Sequence, residues 1–544
     1  MSNSIADFNF RKFLNAIDWK LLLFLILFLN VKLAVKIPAI IIIYLLQFNF
    51  RFGFSLKNSR LPLFYLLIAG VAFIGLAVNS NVGNPDYLRL FFTGILFWGL
   101  CLLAVHQVKL SVENNEVEII HRTILVFFVI NALVSFYNIG LIIWETRSLN
   151  PYTYQGEYQK YFIGTGDYIR GLSFDISTTN AVLNAFGVIY FLDKKNTIMV
   201  LVCMAVLLLT GSNFTNIILI AILSFLFIFK SSKDQKSIIV ICLMFLVVFM
   251  EKVSPQNNKY ADATIANIIH PQKTVSDAIV NAPVIATGPE EKKREAAQRH
   301  LDSLRNNSNK ANEQMRVKGA VIPKTDNGRI LIVGPNINTP PYQTPTDTTS
   351  EQKTLLSFID THKADLPLSA KNDFIPGSPG KVISQLQTIK FLEKHPVKII
   401  AGDGVGSFSS KLAFKATGLG FAGGYPSKHI YINKDFLLNH LDVYLNFFSK
   451  RTGFHSLTNS PYSAYDQLLA EYGLLGLASF LVFYVWFFAR HYKRLTYGIP
   501  LLVLMLAVFS IDYWFEQLSV VIFFELMLFL NIKETTKIPV YVHG

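Results

Sequence analysis

Charged residues are scarce in this chain of 544 residues. Asp, Glu, Lys and Arg make up 16% of it, whereas soluble globular chains carry about 25%. Hydrophobic residues reach 52%, the mean hydropathy is +0.38, and the apolar residues come in blocks close to the roughly 17–25 residues of a membrane helix. The composition therefore excludes a soluble enzyme and predicts a polytopic membrane protein.

Cysteine is almost absent as well. Only Cys101, Cys203 and Cys242 occur, each inside an apolar block, which excludes a disulfide framework and a CxxC metal site. We expect them to be small packing or lipid-facing residues, and we predict neither a metal nor a cofactor. A cleavage site of small residues is also missing after the basic start and "LLLFLILFL", so this stretch is interpreted as a first span and not as a signal peptide.

The apolar blocks predict an all-α fold of about twelve transmembrane helices. The predicted spans lie near residues 19–31, 36–49, 61–78, 88–105, 123–144, 177–192, 197–210, 214–229, 237–250, 472–489, 497–513 and 516–531. The first two are short and are interrupted by Lys32 and Lys36, so a single broken span is an alternative.

The distribution of basic residues predicts the orientation. With twelve spans and a cytoplasmic N-terminus, eighteen basic residues fall in inner segments and six in the short outer loops, as the positive-inside rule requires. Both termini are then cytoplasmic, and residues 252–461 form a large extracytoplasmic loop between the ninth and tenth spans. We expect a multi-pass membrane protein whose large loop lies outside the cytoplasm.

This topology divides the chain into four parts. We predict a membrane domain of nine spans at 1–251, a partly flexible insert at 252–380, an ordered helical part at 381–461 and a membrane domain of three spans at 462–544. In the ordered part, Val382, Leu386, Ile389 and Phe391 or Leu392 have the spacing of one helix face.

The ordered part of the loop is basic, with ten basic and four acidic residues in 381–461. A basic surface beside a membrane suits anionic headgroups, pyrophosphate or an acidic glycan. An ordinary solvated surface is the alternative. We expect no nucleic-acid partner, because these residues face away from the cytoplasm.

Two short stretches contain residue types that bind anions. Arg170 precedes a predicted span in "YIRGLSFDISTTNAV", and its guanidinium can hold a phosphate by two parallel hydrogen bonds. An interfacial arginine that reaches the headgroups is the alternative. Gly402, Gly404 and Gly406 alternate before Ser407 in "AGDGVGSFSS". Glycines allow backbone N–H groups to face an anion, although a plain tight turn is the commoner explanation of such a stretch taken alone.

Carboxylates stand at the mouth of the tenth span, in "NSPYSAYDQLLAEYGLLGL" at 459–477. Asp466 and Glu471 are five residues apart, about 140° around a helix, so they do not share a face. Glu471 is expected to orient a neighbour or to pair with Arg170. His455, just upstream, is a candidate general base near neutral pH, with an ordinary loop histidine as the alternative.

Together these stretches resemble the O-antigen ligase and O-antigen polymerase superfamily of bacterial membrane glycan transferases. The resemblance rests on the span pattern with its one large outer loop, on "RG" at 170–171, on "GDGVGSF" with the preceding "FLEKHPVKIIA", and on "YSAYDQLLAEYGLLGL". It differs from the ligases at Tyr462-Ser463, where they carry His-Asn, at Ser212-Asn213, where Ser-Arg is expected, and at Lys381, where an arginine is usual. These differences favour a polymerase over a ligase.

The resemblance implies a metal-independent glycosyltransferase that acts on a polyprenyl-pyrophosphate-linked glycan. It implies catalytic roles for Arg170, His455 and Glu471. Pyrophosphate or glycan binding is implied for Lys381, Gly402, Gly404, Gly406, Ser407, Tyr462 and Tyr465. The implied acceptor is a glycan, a lipid or a protein, so an O-antigen ligase and a protein O-oligosaccharyltransferase stay open. The alternative of another class is a transporter of lipid-linked glycan, although no internal repeat is visible.

Overall fold

A computed structural model describes residues 16–30, 32–79, 81–154, 161, 164–174, 176–255, 380–418, 424–440, 443 and 460–536. All of these belong to one compact unit that is made of Met1–His270 and Gln343–Gly544. The predicted catalytic residue His455 and nearly all of the predicted insert at 252–380 lie outside the described residues, so the predicted division into four parts stays a prediction.

The described part of the chain is mostly helical and contains no strand. Before the predicted loop the helices are α1 (Trp19–Leu29), α2 (Leu33–Leu46), α3 (Phe64–Val78), α4 (Pro85–Asn114), α5 (Val117–Thr146), α6 (Ser177–Asp193), α7 (Thr197–Leu209), α8 (Asn213–Phe229) and α9 (Lys233–Val248). Polar caps begin several of them. The Asn84 side chain, for example, accepts hydrogen bonds from the first N–H groups of α4, directly before Pro85.

After the predicted loop, the chain forms short helices and then long apolar ones. These are α10 (Gly380–Lys394), α11 (Pro396–Ala401), α12 (Lys411–Ala416), α13 (Lys434–Asn439), α14 (Ala464–Phe480), α15 (Trp486–Ala489), α16 (Gly498–Val508), α17 (Trp514–Gln517) and α18 (Ser519–Thr536). A π-helical turn, Leu481–Val485, joins α14 to α15, and the combined helix runs over Ala464–Ala489.

A helix overlaps each of the twelve predicted spans. Three helices of the described part, Pro85–Asn114, Val117–Thr146 and Ala464–Ala489, are long and apolar enough to cross a membrane. Six further apolar helices are shorter, and α1, with 11 residues, is only about 16 Å long. The all-α membrane character of the chain is therefore supported, while the count of twelve spans stays a prediction.

The helices pack around an aromatic core. The ring of Phe64 on α3 lies within 5.6 Å of the rings of Trp98, Phe480, Tyr484 and Phe515. Large apolar side chains elsewhere on the helices are exposed, as expected where lipid covers the surface. Cys101, Cys203 and Cys242 are free and buried, so of the two predicted roles they have the packing role.

The apolar face predicted for α10 is only partly buried. Val382, Leu386 and Ile389 are 39, 38 and 47% exposed. The buried face instead consists of Gly380, Ile383, Ser384, Gln387, Thr388, Phe391 and Leu392. The physical reason is that Ser384 on this face donates a hydrogen bond to Asp466 on α14, and Phe391 and Leu392 pack against Phe408 and Ala470.

Candidate functional site

The Gly-rich turn, residues 401–407, docks on an interruption of α14. Gly473 has φ +64° and ψ −163° inside this helix, so the carbonyl groups before it lose their helical partners. The N–H of Asp403 donates to the carbonyl of Ala470 at 2.9 Å, and the N–H of Gly404 donates to that of Glu471 at 3.1 Å. The two sequence motifs thus complete each other's backbone hydrogen bonding.

Two glycines make this contact possible. A Cβ on Gly402, which has φ +74°, would lie 2.3 Å from the carbonyl carbon of Glu471. A Cβ on Gly473 would lie 2.4 Å from the carbonyl oxygen of Ile400. Both positions combine a left-handed backbone with direct contact to another backbone segment, which only glycine tolerates.

The Glu471 side chain holds the Gly-rich turn in place by hydrogen bonds. It is 1% exposed, and its carboxylate accepts hydrogen bonds from the N–H groups of Gly406 at 2.9 Å, Ser410 at 3.2 Å and Phe408 at 3.4 Å. No hydrogen bond or ion pair joins it to Arg170 among the described residues. Glu471 therefore orients the turn, which is one of the two predicted roles, and the predicted pairing with Arg170 is wrong.

The opposite side of the turn packs on α4. A Cβ on Gly404 would lie 2.5 Å from the Tyr87 hydroxyl, and one on Gly406 would lie 2.8 Å from Leu90. Tyr87 and Tyr431 are neighbours of Ser407, whose hydroxyl group is buried. The turn is thus enclosed between α4 and α14, and its glycines and Ser407 are covered by protein.

An ion pair with Lys398 holds Asp403, the acidic residue of the Gly-rich turn, in place. Lys398 on α11 contacts both Asp403 and Asp435, and the Asn433 amide donates to Asp403 at 3.0 Å. Burial lowers the pKa of Lys398, but the two carboxylates raise it more, so its pKa is raised overall. The lysine therefore stays protonated and ties the turn to the first turn of α13.

Three lysines interact with the acidic residues Asp512 and Glu516 beside this turn, and we call Lys381, Lys411 and Lys415 the lysine cluster. The Nζ of Lys381 donates to the carbonyl of Ser460 at 3.0 Å and is close enough to Asp512 for their charges to interact. The charges of Lys411 and Lys415 likewise interact with that of Glu516, and Glu516 also interacts electrostatically with Asp512. Burial lowers the pKa of Lys381 to about 8, against the opposing effect of Asp512.

Glu516 connects the lysine cluster to Glu471. The Gln467 amide donates to the Glu516 carboxylate at 3.1 Å. Gln467, Glu471 and Glu516 line one small enclosed cavity, which has room for about one water molecule. The Nζ of Lys411 lies 3.6 Å from the centre of the Tyr513 ring. The arrangement places positive charge and a buried carboxyl group at one end of the helix bundle.

The sequence analysis did not identify Lys411, Lys415, Asp512 or Glu516. A signal was present for two of them, because "KLAFK" puts two lysines one helical turn apart immediately after the Gly-rich turn. Glu516 stands in the apolar run "YWFEQLSVV", and an ionisable group in such a run is by default a functional candidate.

Tyr462, Ser463 and Tyr465 occupy the start of α14. The Tyr462 ring is buried between Phe414 and Tyr513, at centroid distances of 5.3 and 5.2 Å. The Tyr465 hydroxyl donates to the carbonyl of Leu506 at 2.7 Å. Ser463 caps the helix by accepting from the N–H of Asp466. Tyr462 therefore packs against aromatic side chains, and Ser463 caps α14. These two residues stand where the ligases carry His-Asn.

Arg170 lies in a separate loop, held by asparagines. The side-chain amide oxygen of Asn138 accepts hydrogen bonds from the backbone N–H groups of Arg170 and Gly171, at 3.2 and 3.1 Å. Asn131 accepts from Leu172 at 3.0 Å and donates to Asn180 at 2.8 Å. The last bond joins α5 to α6, which is the interhelical hydrogen bond that polar residues make in membrane helices.

Among the described residues, no hydrogen bond or ion pair joins Arg170 to the Gly-rich turn or the lysine cluster. Its guanidinium group donates to the carbonyl of Asp167 at 3.4 Å and lies 5.4 Å from the centre of the Tyr168 ring. The structure thus brings together Glu471, the three glycines and Ser407, places Lys381 with two further lysines, and leaves Arg170 apart from both groups.

Asp466 belongs to a buried polar network. It accepts a hydrogen bond from the Ser384 hydroxyl at 2.5 Å, and this hydroxyl also contacts the Nε2 of His440 at 3.1 Å. Burial lowers the pKa of His440 to about 3, so this histidine is neutral. The network joins α10, the end of α13 and α14, and its full burial indicates a structural role.

No family model, no curated protein and no solved structure matches this chain.

Proposed function

We propose that this protein is a membrane glycosyltransferase that acts on a polyprenyl-pyrophosphate-linked glycan, as a surface-polysaccharide polymerase of the O-antigen type. The observation that carries the proposal is the direct docking of the Gly-rich turn on the interruption at Gly473. The resemblance rests on these two motifs, and they complete one structural unit beside the lysine cluster.

The proposal includes the membrane arrangement predicted from the sequence. Twelve spans cross a bacterial inner membrane, both termini are cytoplasmic, and α10 to α13 lie on the periplasmic side. The partners are the lipid-linked glycan, the acceptor glycan and the surrounding lipids. The lysine cluster then faces the compartment in which lipid-linked repeat units are joined.

In the proposed reaction, an acceptor hydroxyl attacks the anomeric carbon of the lipid-linked sugar. The bond from that carbon to the pyrophosphate oxygen breaks, its electron pair leaves with the polyprenyl pyrophosphate, and the new glycosidic bond forms. The lysine cluster stabilises the negative charge on the leaving group. The hydroxyl proton passes to a base, for which Glu516 is the candidate in the described part of the chain and His455 is the candidate from the sequence.

Glu471 has a positioning role in this proposal. Its carboxylate is occupied by three backbone N–H groups, so it fixes the turn and does not accept the substrate proton. The same carboxylate positions α12. The backbone N–H of Ser410 donates to Glu471, and the side chain of Ser410 caps α12 by accepting from the N–H of Ala413. Lys411 and Lys415 on α12 are therefore oriented through Glu471.

The test is the glycan chain length in the native host with Lys411→Gln and Arg170→Ala variants. We expect single repeat units to accumulate and long chains to be lost. Lys434→Gln is the matched control, because this lysine lies in the same basic part of the chain and is exposed. Normal chains in both variants, at normal protein levels, would overturn the proposal.

The same experiment separates the alternatives. A ligase defect leaves full-length polymer that is not attached to its acceptor, and a protein O-oligosaccharyltransferase defect leaves unmodified proteins. A transporter defect leaves repeat units on the cytoplasmic side, which a periplasmic glycosidase does not reach in spheroplasts.

A further inference from the structure

A glutamate lies in the middle of the apolar helix α18. Glu525 stands in the run "VVIFFELMLFL", and its side chain is 0% exposed. Every residue of α18 from Ser519 to Asn531 is buried, so protein covers the carboxyl group on all sides. An ionisable group inside a membrane span is costly and is by default a functional candidate. The proposed glycosyl transfer does not use it.

The hydrogen bonding of Glu525 is sparse for a buried carboxyl group. The Tyr65 hydroxyl on α3 donates to its Oε1 at 2.5 Å, and its Oε2 is buried with no hydrogen-bond partner among the described residues. Glu471, which is equally buried, accepts from three backbone N–H groups instead. A carboxylate has about four acceptor sites, so the surroundings of Glu525 satisfy a charged carboxylate poorly.

The titratable groups around Glu525 supply no positive charge. They are Tyr65 on α3, Cys101 on α4 and Tyr484 in the π-helical turn, and side chains of these types are neutral in their protonated form. In the part of the chain that the structure describes, no ion pair joins Glu525 to a lysine, arginine or histidine. A charged carboxylate at this position would therefore lack a counter-ion.

The buried cation Lys36 on α2 interacts electrostatically with Cys101, but its ammonium group is stabilised elsewhere. The Nζ of Lys36 donates to the carbonyl of Phe28 at 2.5 Å and to the Ser519 hydroxyl at 2.9 Å. It also lies 4.4 Å from the centre of the Phe28 ring. Phe28 belongs to the last turn of α1, where the carbonyl groups carry partial negative charge. The end of α1 thus serves Lys36, and Glu525 keeps neutral neighbours.

We propose that Glu525 is a proton-binding site of the helix bundle and that it is occupied in this packing of the helices. A proton on the carboxyl group removes the cost of burying a charge without a partner. Because its neighbours come from α3, α4 and the π-helical turn, the site is closed only while these segments surround α18. A movement that admits water lets Glu525 ionise and release one proton. Proton uptake is therefore coupled to closure of the bundle, and this inference does not depend on the glycosyltransferase proposal.

Infrared difference spectroscopy of the purified full chain in lipid nanodiscs tests the occupancy. At neutral pH, the spectrum of wild type minus Glu525→Gln should contain the C=O stretching band of a protonated carboxyl group. Glu118→Gln is the matched control, because Glu118 is exposed and pairs with Arg122 at 3.2 Å, and its difference spectrum should contain carboxylate bands. Carboxylate bands for Glu525 as well would overturn the proposal.

Tyr65→Phe keeps the assignment testable if Glu525→Gln folds poorly. This variant retains the ring and removes the hydrogen bond to Glu525. We expect the band of the protonated carboxyl group to move to higher frequency, because a hydrogen bond weakens the C=O bond. Tyr152→Phe is the control, since its hydroxyl donates to the carbonyl of Leu209 and its loss should leave the band in place. An unchanged band in Tyr65→Phe would overturn the assignment.

The coupling is tested by the pH dependence of unfolding in denaturant. Because unfolding releases the proton of Glu525, the unfolding equilibrium constant of the wild type should rise about tenfold per pH unit relative to that of Glu525→Gln. We expect this rise between about pH 6 and 8, which is above the pKa of about 4.3 of glutamate in an unfolded chain. A ratio of the two constants that stays the same over this interval would overturn the coupling.

Discussion

The backbone N–H of Gly406 donates a 2.9 Å hydrogen bond to the carboxylate of Glu471, across 65 residues of sequence. The bond joins the Gly-rich turn to the helix that follows the predicted loop. It is made in a fully covered environment, where a carboxylate is retained only if its oxygens are satisfied. The pair therefore defines the centre of the candidate site.

Replacing Glu471 should release the turn. Glu471→Ala leaves the N–H groups of Gly406, Phe408 and Ser410 buried without their acceptor, at a cost of about 1–3 kcal/mol each. We expect the free energy of unfolding to fall by about 3 kcal/mol or more, measured by thermal unfolding in detergent. Glu118→Ala, which removes an exposed i,i+4 ion pair with Arg122, should change it by less than about 1 kcal/mol. Equal effects would contradict the anchoring role.

The backbone contact between the Gly-rich turn and α14 should not tolerate a side chain at Gly402 or Gly473. Gly402→Ala and Gly473→Ala each force a Cβ into a backbone segment at 2.3–2.4 Å and retain a left-handed backbone, which alone costs about 1–2 kcal/mol. We expect both variants to lose most of the folded protein, as measured by size-exclusion chromatography. Gly70→Ala is the control, because its Cβ would meet nothing within 4 Å. Normal yields for all three variants would show that the contact is looser than described.

Lys381 should make stability depend on pH. Its folded-state pKa is lowered to about 8 from 10.5, so between these values the unfolded chain binds more protons than the folded one. The contribution of Lys381 to stability therefore rises as the pH increases from about 8 to 10.5. The melting temperature of the wild type, relative to Lys381→Met, should rise over this interval. Parallel curves would contradict the shift.

The same shift should limit function at alkaline pH. Lys381 loses its charge as the pH passes about 8, so any pyrophosphate binding that depends on it should weaken above that pH. Lys381→Arg retains the charge, because the pKa of arginine exceeds 12. We expect polymer synthesis in membranes to decline above pH 8 in the wild type and to persist to higher pH in Lys381→Arg. Identical pH profiles would exclude Lys381 from binding.

The loop that carries Arg170 should depend on Asn138. Asn138→Ala removes the acceptor of two N–H groups, those of Arg170 and Gly171. We expect a cysteine placed at position 170 to react faster with a water-soluble maleimide when Asn138 is replaced. Asn114→Ala, at an exposed position at the end of α4, is the control. Unchanged reactivity would show that Asn131 and Asn180 hold the loop alone.

Local sequence patterns predicted the helices well, since a helix overlaps each apolar block. They did not show which side of α10 is covered, since Val382, Leu386 and Ile389 are exposed whereas Phe391 and Leu392 are buried. Periodicity identifies an apolar face but not what covers it, and in a membrane protein lipid competes with the protein interior for such a face. The polar side chains of Ser384 and Thr388 were buried instead, because Asp466 and His440 lie opposite.

The candidate site was predictable in its parts and not in its assembly. The glycines and Glu471 were recognised separately, but their contact depends on the break at Gly473, and no local pattern predicts which backbone fills a break. Lys411, Lys415 and Glu516 become a group only because distant segments meet. Their interaction is a property of the tertiary fold, which spacing along the chain does not encode.

The asparagine cluster of Asn131, Asn138 and Asn180 has a further consequence. Amide groups carry no charge and do not titrate, so the hydrogen bonds by which they hold the loop bearing Arg170 do not depend on pH or salt concentration. A pH dependence of this loop should therefore originate in its own carboxyl group, that of Asp167, whose pKa burial raises to about 6 against the opposing effect of Arg170.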